Sequence, residues 1–155
     1  ALQATDDAME NHFSFYVADK KSLFHRLSKV DFLGDAYRLN NRCATLLAEC
    51  TFRPESYLGS LDPEEIKRRV LDDLEQLNIV RKRNVVDCTV RSFKYAYVIY
   101  DLHHRKHTDC VLKHLADLGI RCCGRFAEFE YLNMDAVFEH SYELAQALNG
   151  TAHEQ

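Results

Sequence analysis

The sequence predicts an α+β fold: a mainly antiparallel sheet with about three helices packed on it. Runs rich in aromatic and β-branched residues, separated by polar turns, predict strands in the first half of the chain. Three later segments place apolar residues at helical spacing. The 155 residues carry 46% hydrophobic side chains and show no internal repeat or linker, so we expect one domain over 1–155.

The predicted strands of the first half are short. Residues 12–17 (HFSFYV) form the first, and residues 24–27 form the second after a polar turn. Residues 31–41 are polar, include Gly34 and predict a loop. Residues 42–52 (RCATLLAECTF) are a largely apolar run of strand length, and we expect them to be buried on both faces.

The first helix has a clear start. Asp62 can accept hydrogen bonds from free amides as the N-cap, and Pro63 suits the first helical position. The helix should end near Asn78, because the helical spacing stops there. Its apolar face would consist of Ile66, Val70, Leu74 and Leu77.

The second half of the sequence predicts alternating strands and helices. Residues 85–100 (VVDCTVRSFKYAYVIY) predict one long strand or two consecutive ones. Residues 108–118 predict a second helix that Gly119 terminates, and residues 120–123 a short strand. A third helix is expected over residues 134–148.

Composition excludes several classes of protein. A formal net charge of −4 argues against sequence-independent nucleic-acid binding, which needs many Lys and Arg contacts to phosphate. No apolar run approaches the roughly 20 residues that cross a bilayer, and no signal peptide opens the chain, so we expect no membrane partner. Six Cys without a CxxC pair predict reduced thiols in a cytoplasmic protein.

A histidine-rich segment offers one candidate site. If the second helix begins early, its histidines and one cysteine recur at i, i+4, i+7 and i+11 along one face. Imidazole and thiolate groups at this spacing can bind zinc or copper, but no recognised metal signature accompanies them, and a polar helix edge is the favoured interpretation. The candidate ligands are His103, His107, Cys110 and His114.

Tyrosines offer a second candidate site. Tyr95 and Tyr97 would share one face of the predicted strand, with Tyr100 on the other. Hydroxyls, an imidazole and a guanidinium that converge on a sheet face suit a polar or anionic small molecule, and packing of sheet aromatics is the alternative. The full set is Tyr95, Tyr97, Tyr100, His25, Arg26 and Tyr131.

The most specific pattern lies in the last third of the chain. The segment Tyr95-Ala96-Tyr97-Val98-Ile99-Tyr100-Asp101 precedes the second helix, and Gly124-Arg125-Phe126-Ala127-Glu128-Phe129-Glu130-Tyr131-Leu132-Asn133-Met134-Asp135 precedes the third. These blocks resemble the C-terminal, substrate-domain part of the flavin-dependent amine oxidase and UDP-galactopyranose mutase-like family. The aromatic run at 12–17 with Phe24-His25-Arg26-Leu27, and the Asp-capped helix, resemble earlier parts of that family in the same order.

The resemblance implies a flavin-proximal segment without a flavin-binding domain. The family binds FAD through a Gly-x-Gly-x-x-Gly turn of a Rossmann unit, and none of the five glycines here has that spacing. FAD is therefore expected only where a partner chain supplies the Rossmann half. The resemblance places these residues at a cofactor or ligand: Gly124, Arg125, Tyr131, Asn133, Met134, Asp135 and Arg26.

Arg125 is the candidate anion anchor. If residues 124–130 form a strand, Glu128 and Glu130 share a face with Gly124, whereas Arg125 faces the other way. That alternation predicts that neither glutamate pairs with Arg125. The guanidinium would then be available to a phosphate or carboxylate.

Three functions follow as hypotheses. The chain is part of a split flavoenzyme that acts as an oxidoreductase or mutase on a small molecule. Alternatively, it is a flavin-independent isomerase or cyclase with His25, Tyr97 or Tyr100 as acid or base. The third possibility is a non-catalytic binding or assembly subunit. We expect a homodimer or a complex with a Rossmann-type FAD-binding protein, because a substrate sheet that lacks the Rossmann half leaves apolar surface exposed.

Overall fold

The computed structural model describes residues 1–38 and 43–152. They group into two compact units, Ala1–Ser92 and Phe93–Gln155, which are described separately. The described residues contain an antiparallel sheet and three α-helices, which confirms the predicted α+β class. A single domain over 1–155 stays a prediction.

The first unit contains the sheet. Its five strands, counted over the described residues, are antiparallel neighbours in the order β2-β3-β4-β1-β5. The strands are β1 (Leu2–Ala4), β2 (Ser14–Tyr16), β3 (Arg26–Lys29), β4 (Ala44–Glu49) and β5 (Val85–Cys88).

Several predicted boundaries in this unit are wrong. Strand β1 is only three residues long, too short to show a periodic pattern, yet it lies between β4 and β5. The second strand was predicted at 24–27, but it begins and ends two residues later. It is β3, in which residues 26–29 pair with β4. Part of the predicted loop forms 3₁₀ turns at Val30–Leu33 and Asp35–Tyr37, and residues 39–42 lie outside the described residues.

Helix α1 (Pro63–Gln76) confirms the capping prediction. The Asp62 Oδ1 atom accepts a hydrogen bond from the Glu65 amide at 2.9 Å, and Pro63 occupies the first turn. At the other end Asn78 adopts φ +55°, a left-handed conformation that stops the helix. The Asp73 carboxylate accepts a hydrogen bond from the Leu23 amide at 2.6 Å, which ties the helix to the segment before β3.

The core of the first unit lies between α1 and one face of the sheet. Leu46 of β4 is fully buried, but its neighbour Leu47 is exposed, so the prediction that this strand is buried on both faces is wrong. The physical reason is that α1 contributes Val70 and Leu74 to the face that carries Leu46. The buried cluster consists of Leu2, Ala4, Met9, Phe24, Leu27, Leu46, Val70, Leu74 and Val80.

The second unit is built on two helices, α2 (His104–Asp117) and α3 (Met134–Ala152). The predicted strand at 85–100 stops at Cys88, and the predicted strand at 120–123 does not form. High β-propensity reflects packing on a sheet, and these residues have no partner strand among those described. Within the described part of the chain, none of the helices combines the length and apolar composition needed to cross a membrane.

The core of the first unit can be tested with Leu74 of α1 and Leu77, the C-cap residue of the same helix. We expect Leu74→Ala to lower the free energy of unfolding by about 2–5 kcal/mol, because Leu74 is fully buried. Leu77→Ala is the matched control, since Leu77 is exposed and should lose only about 0.5 kcal/mol. Urea unfolding followed by circular dichroism measures both; equal losses would contradict this description of the core.

Candidate functional site

The segment between α2 and α3 folds as a turn and not as the predicted strand. The Glu128 amide donates to the Gly124 carbonyl at 2.9 Å, and the Glu130 amide donates to the Arg125 carbonyl at 3.0 Å. Gly124 (φ +94°) and Phe129 (φ +54°) both adopt left-handed conformations, which reverse the chain twice. We call residues 124–131 the arginine turn.

Both glutamates of the arginine turn have partners other than Arg125. The Glu128 carboxylate accepts hydrogen bonds from the Gly124 amide and from His140 Nδ1 of α3, each at 2.7 Å. Glu130 forms a 2.7 Å ion pair with Arg105 of α2. The expectation that neither glutamate pairs with Arg125 therefore holds, although its premise of strand alternation is wrong.

Arg125 lies against two stacked tyrosines. Its guanidinium carbon is 4.0 Å from the ring centroid of Tyr131 and 5.3 Å from that of Tyr97. The two rings are 6.1 Å apart and nearly parallel, at 11°. The Nε atom of Arg125 is buried and makes no hydrogen bond to any described residue. Aromatic faces attract a cation without using its N–H donors.

Tyr100 and His104 support the arginine turn from the side of α2. The Tyr100 hydroxyl accepts a hydrogen bond from the Tyr131 amide at 2.5 Å, and its ring lies 4.3 Å from the imidazole of His104. His104 Nε2 donates to the Phe129 carbonyl at 2.8 Å. The His104 ring also stacks on that of Phe129, 5.8 Å away.

His104 is the site residue that the sequence prediction missed. His104 is 8% exposed. Among the described residues of the second unit, only His104 and Val98 are buried. The available signal was its helical spacing to Thr108, Leu112 and Leu115, which puts His104 on the inner face of α2.

Three predicted ligand residues stand at the start of α3. The Asn133 carbonyl accepts the first helical hydrogen bond, from the Val137 amide at 3.0 Å. Met134 begins the helix and Asp135 is the acidic residue of its first turn, which confirms the predicted helix start. All three side chains are exposed.

The candidate metal ligands of α2 do not form a cluster. His103, His107, Cys110 and His114 are all exposed, and the rings of His103 and His107 are 5.9 Å apart. The part of the chain that the structure describes contains no group of three or more His, Cys, Asp or Glu side chains arranged to hold a metal ion.

The predicted sheet face of tyrosines does not form, because residues 93–100 are not a strand. Tyr97, Tyr100 and Tyr131 meet instead around Arg125 and the arginine turn, whereas the ring of Tyr95 contacts the ammonium group of Lys94. His25 and Arg26 belong to the first unit.

In the first unit Arg26 is paired with a carboxylate. Its Nε donates to Glu49 Oε1 at 2.7 Å, and Nη1 lies 3.4 Å from the Tyr16 hydroxyl. These contacts give Arg26 a structural role between neighbouring strands. A role of Arg26 in ligand binding, and of His25 in catalysis, stays a prediction.

A groove of about 360 Å³ runs between α2 and the arginine turn. Its walls are mostly apolar, with polar groups at one end. Val111, Leu112, Phe126 and Phe129 form the apolar part, and Asp101, His107 and Thr108 the polar part.

Comparison with known proteins leaves the family open: no family model, curated protein or solved structure matches the chain. The amine oxidase-like resemblance therefore stays a prediction carried by the residues quoted above.

The ion pair between His140 and Glu128 makes the stability of the second unit depend on pH. The hydrogen bond to Glu128, with Glu143 and Glu139 nearby, raises the pKa of His140 above its ordinary value of 6.5. Its stabilising contribution is complete below about pH 6.5 and is lost as the pH rises through the folded-state pKa.

We expect His140→Gln to remove this dependence. Melting temperatures measured from pH 5 to pH 9 should fall with rising pH more steeply in the native protein than in the variant. His114→Gln, an exposed histidine of α2, is the control and should keep the native profile. Identical slopes for all three proteins would contradict the role of the pair.

Proposed function

We propose that this chain supplies the substrate- and flavin-proximal part of an amine oxidase or UDP-galactopyranose mutase-like flavoenzyme. In this proposal a separate polypeptide binds FAD through a Rossmann domain. The observation that carries the proposal is Arg125, whose buried Nε has no hydrogen-bond partner and whose guanidinium contacts the rings of Tyr97 and Tyr131. The order of the Gly124-Arg125 and Asn133-Met134-Asp135 blocks supports it.

The surroundings of Arg125 favour an anionic ligand. Among the described residues no carboxylate pairs with its charge, because Glu128 and Glu130 are committed to His140 and Arg105. Arginine presents its donors in a planar fork that matches a phosphate or a carboxylate.

The residues present fit an anionic group but not a whole dinucleotide. The guanidinium of Arg125 suits a phosphate or a carboxylate, whereas the sequence has no Gly-x-Gly-x-x-Gly turn to surround a pyrophosphate. When bound, flavin would supply the redox chemistry. The role of this chain would be to bind the anionic part of a small molecule with Arg125 and to orient it beside Tyr97 and Tyr131.

A binding or assembly subunit without catalysis is the second candidate. The exposed side chains Phe93, Ile99, Leu102 and Met134 of the second unit favour it, because apolar surface of this extent is typical of interfaces. We also propose a cytoplasmic location, because all six cysteines are free thiols. This location suits either function.

The flavin proposal predicts that the chain alone binds no FAD tightly, since it lacks the glycine turn. Purified alone it should be colourless. Purified as a complex with Rossmann proteins encoded by neighbouring genes, it should show a flavin absorbance spectrum. A stoichiometric flavin spectrum from this chain by itself would contradict the split arrangement, and a colourless complex would favour the assembly subunit.

The anion site predicts a specific effect of Arg125→Lys. The change keeps the charge but removes the fork, so binding of inorganic phosphate, measured by ³¹P NMR titration, should weaken by about 1–3 kcal/mol. The melting temperature should stay nearly unchanged. Arg121→Lys is the matched control, because Arg121 is exposed and four residues away. Unchanged binding with a lowered melting temperature would show that Arg125 is structural.

A further inference from the structure

The Glu128 carboxylate joins the arginine turn to helix α3. Its Oε1 atom accepts a hydrogen bond from the Gly124 amide, and its Oε2 atom accepts one from His140 Nδ1, each at 2.7 Å. The Glu128 side chain is 17% exposed, so this carboxylate is largely shielded from water. One of its two oxygens therefore holds the turn closed, and the other depends on the state of His140.

The charge of His140 decides how strongly Glu128 Oε2 is held. The charged groups that act on the imidazole are Glu128 of the arginine turn and Glu139 and Glu143 of α3, and they raise the pKa of His140 above 6.5. His140 is therefore a cation below about pH 6.5 and becomes neutral as the pH rises through its folded-state pKa. A charged donor makes a stronger hydrogen bond to a carboxylate than a neutral donor does, so the hold on Glu128 weakens as the pH rises.

Arg125 is a second cation in the same turn, and one of its donors lacks an acceptor. Its buried Nε makes no hydrogen bond to any described residue, and its charged group contacts the rings of Tyr97 and Tyr131. A buried donor without an acceptor is costly. A carboxylate that is released in the same turn is therefore attracted to Arg125, both by its charge and by this donor.

Glu128 is the carboxylate of the turn whose partner can change. It lies three positions after Arg125, and its amide donates to the Gly124 carbonyl at 2.9 Å, which gives this stretch the spacing of a helical turn. Side chains three apart on a helical turn are neighbours and can form an ion pair. Glu130, the other carboxylate, is paired with Arg105, whose guanidinium keeps its charge at every pH in question.

We propose that Glu128 is a pH-dependent switch: it binds His140 while His140 is protonated, and it turns to Arg125 once His140 is neutral. The structure shows the first state, in which no described carboxylate pairs with Arg125. In the second state the carboxylate occupies the guanidinium, so the chain inhibits its own anion site. The anion site rests on the proposed function, whereas the exchange of partners does not.

The exchange of partners can be tested without any ligand. A hydrogen bond to a carboxylate changes the ¹⁵N chemical shift of an arginine Nε, so we expect the Arg125 signal to move as the pH rises from 6 to 9. Carbon-detected NMR of the labelled chain follows this signal, and Arg125→Lys identifies it by its loss. In Glu128→Gln the signal should keep its low-pH position throughout, because the charged partner is gone. In His140→Gln it should keep its high-pH position throughout.

Binding of inorganic sulfate measures the consequence for the anion site, because sulfate keeps its charge over this pH range. By titration calorimetry the native chain should bind sulfate about tenfold more weakly at pH 9 than at pH 6. Glu128→Gln should bind it tightly at both pH values, and His140→Gln weakly at both. Glu130→Gln is the matched control: it removes the same charge from the same turn and should keep the native pH dependence.

Two results would overturn the switch: an Arg125 signal that does not move with pH in the native chain, or one that moves equally in Glu128→Gln. Sulfate binding that follows pH equally in Glu128→Gln would overturn the inhibition. If the Arg125 signal responds as expected but sulfate binds to none of the proteins, the proposed anion site is wrong and the switch stands. Circular dichroism verifies the helices of each variant; if Glu128→Gln unfolds, the native chain and His140→Gln decide.

Discussion

His104 lies where the segment that carries Tyr100, helix α2 and the arginine turn meet. Its imidazole donates a hydrogen bond to the carbonyl of Phe129. Phe129 has a left-handed backbone conformation, which an L-residue adopts only when its surroundings hold it there. A buried imidazole with its hydrogen bond satisfied supplies that constraint. The position of Arg125 four residues earlier in the same turn depends on it.

Aromatic rings, and not a carboxylate, contact the charged group of Arg125. Most half-buried arginines pair with a carboxylate, as Arg26 does with Glu49 in the first unit. In the arginine turn both carboxylates are engaged elsewhere, and Arg125 instead contacts the faces of Tyr97 and Tyr131. Aromatic faces attract a cation without using its donors, so this arrangement positions the guanidinium and leaves it able to bind.

Different kinds of contact stabilise the two units. The first has a hydrophobic cluster between α1 and the sheet, with Leu74 and Leu46 fully buried. The second keeps many large apolar side chains at its surface, including Ile99 and Phe138. Polar contacts of His104, Glu128 and Tyr100 organise its turn, while its apolar faces stay available.

The sequence by itself determined the elements that local physics controls. The N-cap at Asp62 with Pro63, and the start of α3 at Met134, depend on residues within one turn and were predictable. Only tertiary structure decided the rest, because a strand needs a partner that local sequence does not show. Residues 93–100 have β-propensity but no partner strand, whereas β1, three residues long, gains two. The tyrosines around Arg125 and the buried His104 likewise meet only after the chain reverses at Gly124 and Phe129, so no spacing along the sequence could bring them together.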